Sequence, residues 1–241
     1  MRKTSSNGAW SALSRARRRV VRLFAGSVAA LVVVAVVSFC VGPSSVSIGD
    51  IVAFATGAPV DATVANIIVN IRMPRVVAGL VAGAALSVAG ALIQAVLDNP
   101  LASPSVIGIN SGAGLAVLAV SACPLFYNDP PRELLPIVAF AGALVAAGLV
   151  FVISARAGVS RLTVVLSGVA INAVAGAGMN TVLLVAPNVY VGSSAYLVGG
   201  FSGVLMRNLM LPALLAAGGM VAAFCLANRL NVLSLGREAA H

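Results

Sequence analysis

The chain has few charged residues. Only 9% of its 241 residues are charged, whereas about a quarter of the residues of an ordinary soluble domain carry a charge. Hydrophobic residues make up 60%. This balance excludes an ordinary soluble domain and is typical of a membrane protein, in which the structural unit is an apolar span of about 20 residues.

Residues that bind metals or carry out bond chemistry are also scarce. The chain has one histidine, His241, and three cysteines, Cys40, Cys123 and Cys225, which lack the spacing of metal ligands. It contains no phosphate-binding G-x-x-x-x-G-K-[ST] motif, and we find no nucleophile–base or carboxylate pair. We therefore expect no metal site, no cofactor and no catalytic residue. The energy for any active transport would come from a separate subunit.

The basic residues are concentrated at the N-terminus. Seven of the 15 precede the first apolar run, and the formal net charge is +9. Aromatic residues account for only 5%, and no basic patch is interleaved with them. The positive-inside rule explains this distribution better than nucleic-acid binding does, so we expect a bilayer and no nucleic acid as partner.

Six apolar runs are long enough to predict membrane-spanning helices. They lie between a basic tail at 1–22 and a polar end at 229–241, which we expect to be cytoplasmic. Ser47 with Asp50 predicts the capped start of a short helix, and the apolar face of 64–71 predicts a segment along the outer membrane surface. A glycine-containing run at 195–206 predicts a half-helix or a re-entrant segment before the last span. The predicted spans are 23–41, 76–97, 106–123, 134–155, 162–186 and 209–228.

The positions of the basic residues indicate the orientation. With the N-terminus inside, 11 basic residues fall in the cytoplasm and 4 outside, as the positive-inside rule requires. The reversed orientation would violate that rule. The four outer residues are Arg72, Arg75, Arg132 and Arg207.

The predicted spans contain no Asp, Glu, Lys, Arg or His. Ion-coupled transporters place such residues near the bilayer centre, so this absence counts against a secondary transporter, although a small-molecule channel remains an alternative. The fifth span instead repeats small and amide residues every four positions, on one helix face. This stripe predicts either close helix packing or a polar lining for a translocation path. Its residues are Gly168, Asn172, Gly176 and Asn180, and Gln94 of the second span is a further candidate for the same path or packing.

One ordered set of residues carries a resemblance to a known family. It begins with Arg72-Met73-Pro74-Arg75 and continues through an apolar, proline-broken segment after the second span, which we expect to be buried among helices. With this pattern the chain resembles the permeases of siderophore and cobalamin ABC importers, the FecCD family, over roughly residues 23–241. The later residues of the pattern are Gly79, Gly83, Gly90, Gln94, Asn99, Pro100, Leu101, Ala102, Pro104, Gly108, Ser111, Gly112 and Ala113.

The resemblance implies an all-α fold in the cytoplasmic membrane of a prokaryote. It implies a protomer of about ten helices, of which this chain would supply the first part, paired with a second permease protomer. It also implies an ATPase subunit inside and a substrate-binding protein outside. Arg72 and Arg75 match arginines that meet acidic residues of the binding protein, and charge complementarity of this kind favours oriented docking. The start of the ATPase coupling loop would comprise Leu233, Ser234, Leu235, Gly236 and Glu238.

Several functions remain open on the sequence. An iron-siderophore importer is the leading expectation, with a cobalamin or haem importer as the alternative. Because the family is longer than this chain, a truncated and inactive fragment is a further possibility. The loop at 158–163 falls where the family has its inner gate.

Overall fold

The computed structural model describes residues 6–42, 46–125, 134–158, 160–187, 189 and 199–234. Within these ranges all regular structure is helical and no strand occurs. The chain divides into two units, Met1–Val76 and Val77–His241.

The first unit is dominated by one long helix, α1, at Ser6–Cys40. At about 1.5 Å per residue it is roughly 52 Å long, well beyond the roughly 30 Å of a bilayer core. Helical structure therefore includes most of the predicted basic tail. The apolar side chains of its second half are largely solvent-exposed, including Val28, Leu31 and Val34, as expected for a surface that faces lipid.

Two short helices follow, and both begin with a side-chain cap. Helix α2, at Ile48–Ala55, has the predicted capping box, because Ser47 Oγ accepts from the Asp50 N–H and the Asp50 carboxylate accepts from the Ser47 N–H. The Ser47 hydroxyl and then its N–H hold the pKa of Asp50 below its usual value. Helix α3, at Ala62–Ile67, starts at Asp61, whose pKa is lowered by the backbone N–H of Thr63.

Helix α3 continues into the next helix without a break. A single π-helical turn, Ile68–Arg72, joins it to α4 at Met73–Leu97. Hence the stretch predicted to lie separately on the outer surface is continuous with a span: residues Ala62–Leu97 form one apolar helical run.

The second unit contains a three-helix cluster. Helices α5 (Ile109–Ser121), α6 (Leu135–Arg156) and α7 (Arg161–Val185) pack on one another. A side chain at Gly142 would lie 2.5 Å from Ala116 Cβ and 2.6 Å from the Gly112 carbonyl oxygen. Two glycines at the crossing therefore let α5 and α6 approach to backbone distance, as small residues do in membrane helices. A 3₁₀ turn at Pro104–Ile107 precedes α5, and α8 occupies Met206–Ser234.

Among the described residues, five helical segments are long and apolar enough to cross a membrane. Helix α5 has only 13 residues, about 20 Å of helix, so the span predicted at 106–123 stays a prediction. The five segments are Arg17–Cys40, Ala62–Leu97, Leu135–Arg156, Arg161–Val185 and Met206–Ala227.

The described part of the run at 195–206 is not a half-helix, so of the two predicted forms only the re-entrant segment is compatible with residues 199–205. Residues 199–205 are not helical, because Gly199, Gly200 and Gly203 all have positive φ angles, which no right-handed helix tolerates. Residues 195–198 lie outside the described part of the chain.

Candidate functional site

The end of α4 is shaped by an unusual residue. Asp98 has a φ of 48°, the left-handed region that glycine normally occupies at this position. The Asn99 N–H donates to the Gln94 carbonyl (3.1 Å), and the Asp98 N–H donates to the Ala95 carbonyl (3.4 Å). These two bonds form a Schellman motif, which ends the helix and turns the chain away from its axis.

An ion pair ties this turn to a distant helix. Arg161 Nη1 lies 2.8 Å from Asp98 Oδ2, although the two side chains are 57% and 62% exposed. Because Arg161 is the first residue of α7, the C-terminal end of α4 and the N-terminal end of α7 lie side by side.

The apolar loop after α4 is held by its own amides. Asn99 Oδ1 accepts from the Leu101 N–H at 2.9 Å, and Gln94 Nε2 donates to the Ala102 carbonyl at 3.4 Å. Ala102 is buried, whereas Leu101 is 88% exposed and Pro100 is also exposed. The loop predicted to be buried is therefore packed on one side only.

Helix α7 meets the following 3₁₀ turn through one glycine and one asparagine. A Cβ on Gly168 would overlap the carbonyl oxygen of Val106, so only glycine fits there. One turn later, Asn172 Nδ2 donates to the Ser105 carbonyl at 3.0 Å, and Asn172 Oδ1 accepts from Ser111 Oγ at 2.6 Å. Asn172 thus joins the loop and the first turn of α5 to α7.

The predicted stripe on α7 is divided in the structure. Gly168 and Asn172 contact the loop region. Around Gly176, by contrast, the described part of the chain places no atom within 4 Å of an added Cβ apart from the helix's own backbone, and Asn180 is exposed. Packing accounts for the first half of the stripe. A translocation path along the second half remains a prediction.

The other residues of the family loop lie near this junction. Pro104 opens the 3₁₀ turn, and Gly108, at a φ of 80°, precedes α5. Gly112 packs against Gly142 of α6, and Ala113 is half-buried.

The two predicted docking arginines differ in burial. Arg72 is only 6% exposed, and its Nη1 donates to the carbonyls of Phe39 and Cys40. Arg75, in the first turn of α4, is half-buried. No contact described here tests their docking role.

The predicted coupling residues lie at the limit of the described chain. Leu233 and Ser234 belong to the last turn of α8, so this helix extends beyond the predicted span end at 228. Leu235, Gly236 and Glu238 lie outside the described residues.

Sequence reasoning missed several contacts at this site. Ser105 binds Asn172 through its backbone, and Asp98 pairs with a residue 63 positions away. The buried Ser154 and Ser167 hydroxyls, 3.2 Å apart, join α6 to α7. Serine on an apolar helix is too common to signal such a pair. Among these contacts, only the ion pair had a signal in the sequence, because Arg161 places a positive charge beside a predicted cytoplasmic end.

A cavity of about 440 Å³ lies among α5, α6 and α7. It is lined only by glycine, alanine, valine, leucine and isoleucine, including Leu115, Val145 and Ile171. Such walls offer no side-chain hydrogen bond, and Asn172, Asn180 and Gln94 are not among them. The cavity therefore suits an apolar group and does not coincide with the predicted polar path.

The FecCD transport family profile matches residues 30–241. The chain belongs to the FecCD transport family. Its relatives include the Fe(3+)-citrate import system permease protein YfmE of Bacillus subtilis, strain 168, which is 36% identical over 215 residues, covering 87% of this chain and 62% of the relative. The ferric enterobactin permease FepD of Escherichia coli K12 is 37% identical, over 73% of this chain and 52% of the relative.

Other FecCD relatives differ in cargo. The vitamin B12 import system permease BtuC of Escherichia coli O157:H7, strain EC4115, is 36% identical, over 71% of this chain and 52% of the relative. The chain thus spans about half to three-fifths of the length of these relatives. A solved metal-chelate type ABC transporter, in an inward-facing conformation, matches with a TM-score of 0.71 over 91% of this chain and 66% of its own, at 24% identity, which confirms the all-helical fold.

Proposed function

We propose that the chain acts as the membrane permease subunit of an ABC importer that moves an iron-siderophore complex across the cytoplasmic membrane. One observation carries this proposal: the FecCD match over residues 30–241 falls on apolar helices. These helices contain no Asp, Glu, Lys, Arg or His over residues 76–97, 109–121, 135–155, 162–185 and 208–228. Helices without such residues supply no proton or ion relay of that kind, so a partner ATPase would drive transport.

The cargo is proposed from the relatives. Those relatives are named for Fe(3+)-citrate, ferric enterobactin and vitamin B12, and a Yersinia pestis relative is named for hemin. A ferric chelate is common to the first two, so a siderophore complex is the leading candidate. Cobalamin and haem are the alternatives that an experiment must separate.

The proposed partners follow from the same family. An ATPase would dock on the cytoplasmic side at the end of α8, around Leu233 and Ser234. A substrate-binding protein would dock on the opposite side, at the turn that carries Arg72 and Arg75, and a second permease protomer would complete the path. The N-terminus would be cytoplasmic, since seven basic residues precede the first apolar run.

The test is transport in vesicles that contain the chain, a second permease protomer, the candidate ATPase and its binding protein. We expect ATP-dependent uptake of a ⁵⁵Fe-siderophore, with much less uptake of labelled cobalamin or hemin. A complex whose ATPase lacks its phosphate-binding lysine is the control and should not transport. Uptake without ATP would instead indicate a channel or secondary transporter. Failure of the chain to co-purify with any ATPase would contradict the proposal.

The docking part has its own test. Arg75→Glu should weaken binding of the substrate-binding protein at least tenfold, because a like charge would then face an acidic partner. Arg207→Glu is the matched control, since Arg207 is also predicted to be outside. Equal losses in the two variants would show a general charge effect and no specific docking site.

A further inference from the structure

The most buried cation described in the chain lies at the end of α1. Arg72 is 6% exposed, and its Nη1 lies 2.8 Å from the Phe39 carbonyl oxygen and 2.9 Å from that of Cys40. Phe39 and Cys40 are the last two residues of α1. One guanidinium nitrogen therefore donates hydrogen bonds to two carbonyls at the same helix end.

These carbonyls need a donor from elsewhere in the chain. The last four carbonyls of any α-helix lack partners within the helix, and near the apolar layer of a membrane an unsatisfied carbonyl costs several kcal/mol. The last turn of α1 contains no basic residue of its own. Arg72 supplies both the hydrogen bonds and the positive charge that the negative end of the helix dipole favours.

The surrounding backbone is adapted to this contact. Arg72 ends the π-helical turn Ile68–Arg72, in which the Met73 N–H donates to the Ile68 carbonyl. Such turns insert an extra residue into a helix and recur at functional sites. On the other side, a Cβ at Gly42 would lie 3.6 Å from Arg72 Nη2, so the chain leaving α1 runs directly past the guanidinium.

We propose that Arg72 is a positioning residue that locks the C-terminal end of α1 to the turn before α4. The lock thereby fixes the turn that carries both predicted docking arginines, a step that rests on the proposed function. Arg72 Nη1 donates to both carbonyls, and an outside carboxylate would meet the other edge of the guanidinium, Nε and Nη2, without breaking these bonds. The half-buried Arg75 lies three residues further along, and the lock fixes its position.

Cys40 allows the lock to be tested without any partner. In a Cys123→Ala, Cys225→Ala background, the rate at which N-ethylmaleimide labels Cys40 in detergent reports the opening of the last turn of α1. Arg72→Gln should raise this rate at least fivefold, and Arg72→Lys, which keeps the charge and a donor, should recover part of the protection. Arg75→Gln is the matched control and should leave the rate unchanged.

A second variant covers the possibility that Arg72→Gln does not fold. Arg72→Met keeps a long side chain but removes every donor, so it should also speed the labelling of Cys40. Unchanged labelling in folded Arg72→Gln, or in folded Arg72→Met, would overturn the lock.

Binding measurements then separate the lock from docking. If the proposed function holds, Arg75→Gln weakens binding of the substrate-binding protein without exposing Cys40, whereas Arg72→Gln weakens binding and exposes Cys40. Loss of binding in Arg72→Gln with Cys40 still protected would make Arg72 a direct contact and overturn the inference. If neither substitution weakens binding, the docking proposal fails. The labelling rate of Cys40 still shows whether Arg72 holds the end of α1.

Discussion

At the scale of single residues, two glycines on one face of α7 have opposite surroundings. A methyl group on Gly168 would overlap the Val106 carbonyl, whereas one on Gly176 would meet no described atom within 4 Å beyond its own helix backbone. We expect Gly168→Ala to destabilise the protein by about 1–3 kcal/mol, the usual cost of overpacking, and Gly176→Ala to raise stability by about 0.5–1 kcal/mol, because glycine weakens a helix interior relative to alanine. Unfolding by SDS in mixed micelles measures both. Equal effects would show that the loop does not pack on α7 as described.

Asn172 is the polar residue that joins three segments. Its replacement by alanine leaves the Ser105 carbonyl and the Ser111 hydroxyl without their partner. A double-mutant cycle of Asn172→Ala with Ser111→Ala should give a coupling of about 0.6 kcal/mol, the average for hydrogen bonds between membrane helices. The single Asn172→Ala loss should be larger than the Ser111→Ala loss, because it breaks two bonds. A coupling of zero in the same SDS titration would contradict the contact.

At the scale of elements, the end of α4 combines a backbone strain with an ion pair. A left-handed residue other than glycine costs about 1–2 kcal/mol, while an exposed ion pair such as Asp98–Arg161 contributes at most about 1 kcal/mol. We therefore expect Asp98→Gly to be close to the wild type, since relief of strain offsets the lost pair. Asp98→Ala should be less stable by about 1 kcal/mol than Asp98→Gly.

Asn at the same position is the control for the charge. Asp98→Asn keeps a residue that tolerates the left-handed region but removes the pair with Arg161, so its cost measures the ion pair alone. If Asp98→Ala were as stable as Asp98→Gly in chemical unfolding, the turn at the end of α4 would not be left-handed.

Helices were the most predictable elements because their apolar runs are long. The capping box of α2 also followed from Ser47 and Asp50, which lie three residues apart. The π-helical turn before α4 had no such signal, since its residues are as compatible with an α-helix. The partners of Arg72 and Asn172 could not be predicted either, because both side chains bind backbone carbonyls, which every residue possesses.

At the scale of the whole chain, one contact within the second unit restricts the topology of that unit. The Asp98–Arg161 pair places the end of α4 and the start of α7 on one membrane face. If α6 crosses the membrane, the segment 104–121 must cross as well, in the opposite direction. The 3₁₀ turn adds about 8 Å to the roughly 20 Å of α5, which brings that segment close to the thickness of the bilayer core.

The shared face should be cytoplasmic, because Arg156 and Arg161 lie there and positive residues are retained inside. In a variant with all three cysteines replaced by alanine, we expect Leu125→Cys to react with a membrane-impermeant maleimide in intact cells. Ala157→Cys should react only after the cells are opened. Both positions are exposed, so burial does not explain a difference. Labelling of both from outside would mean that α6 does not cross, and the reversed pattern would place the ion pair, the apolar loop and the proposed ATPase side on the opposite face.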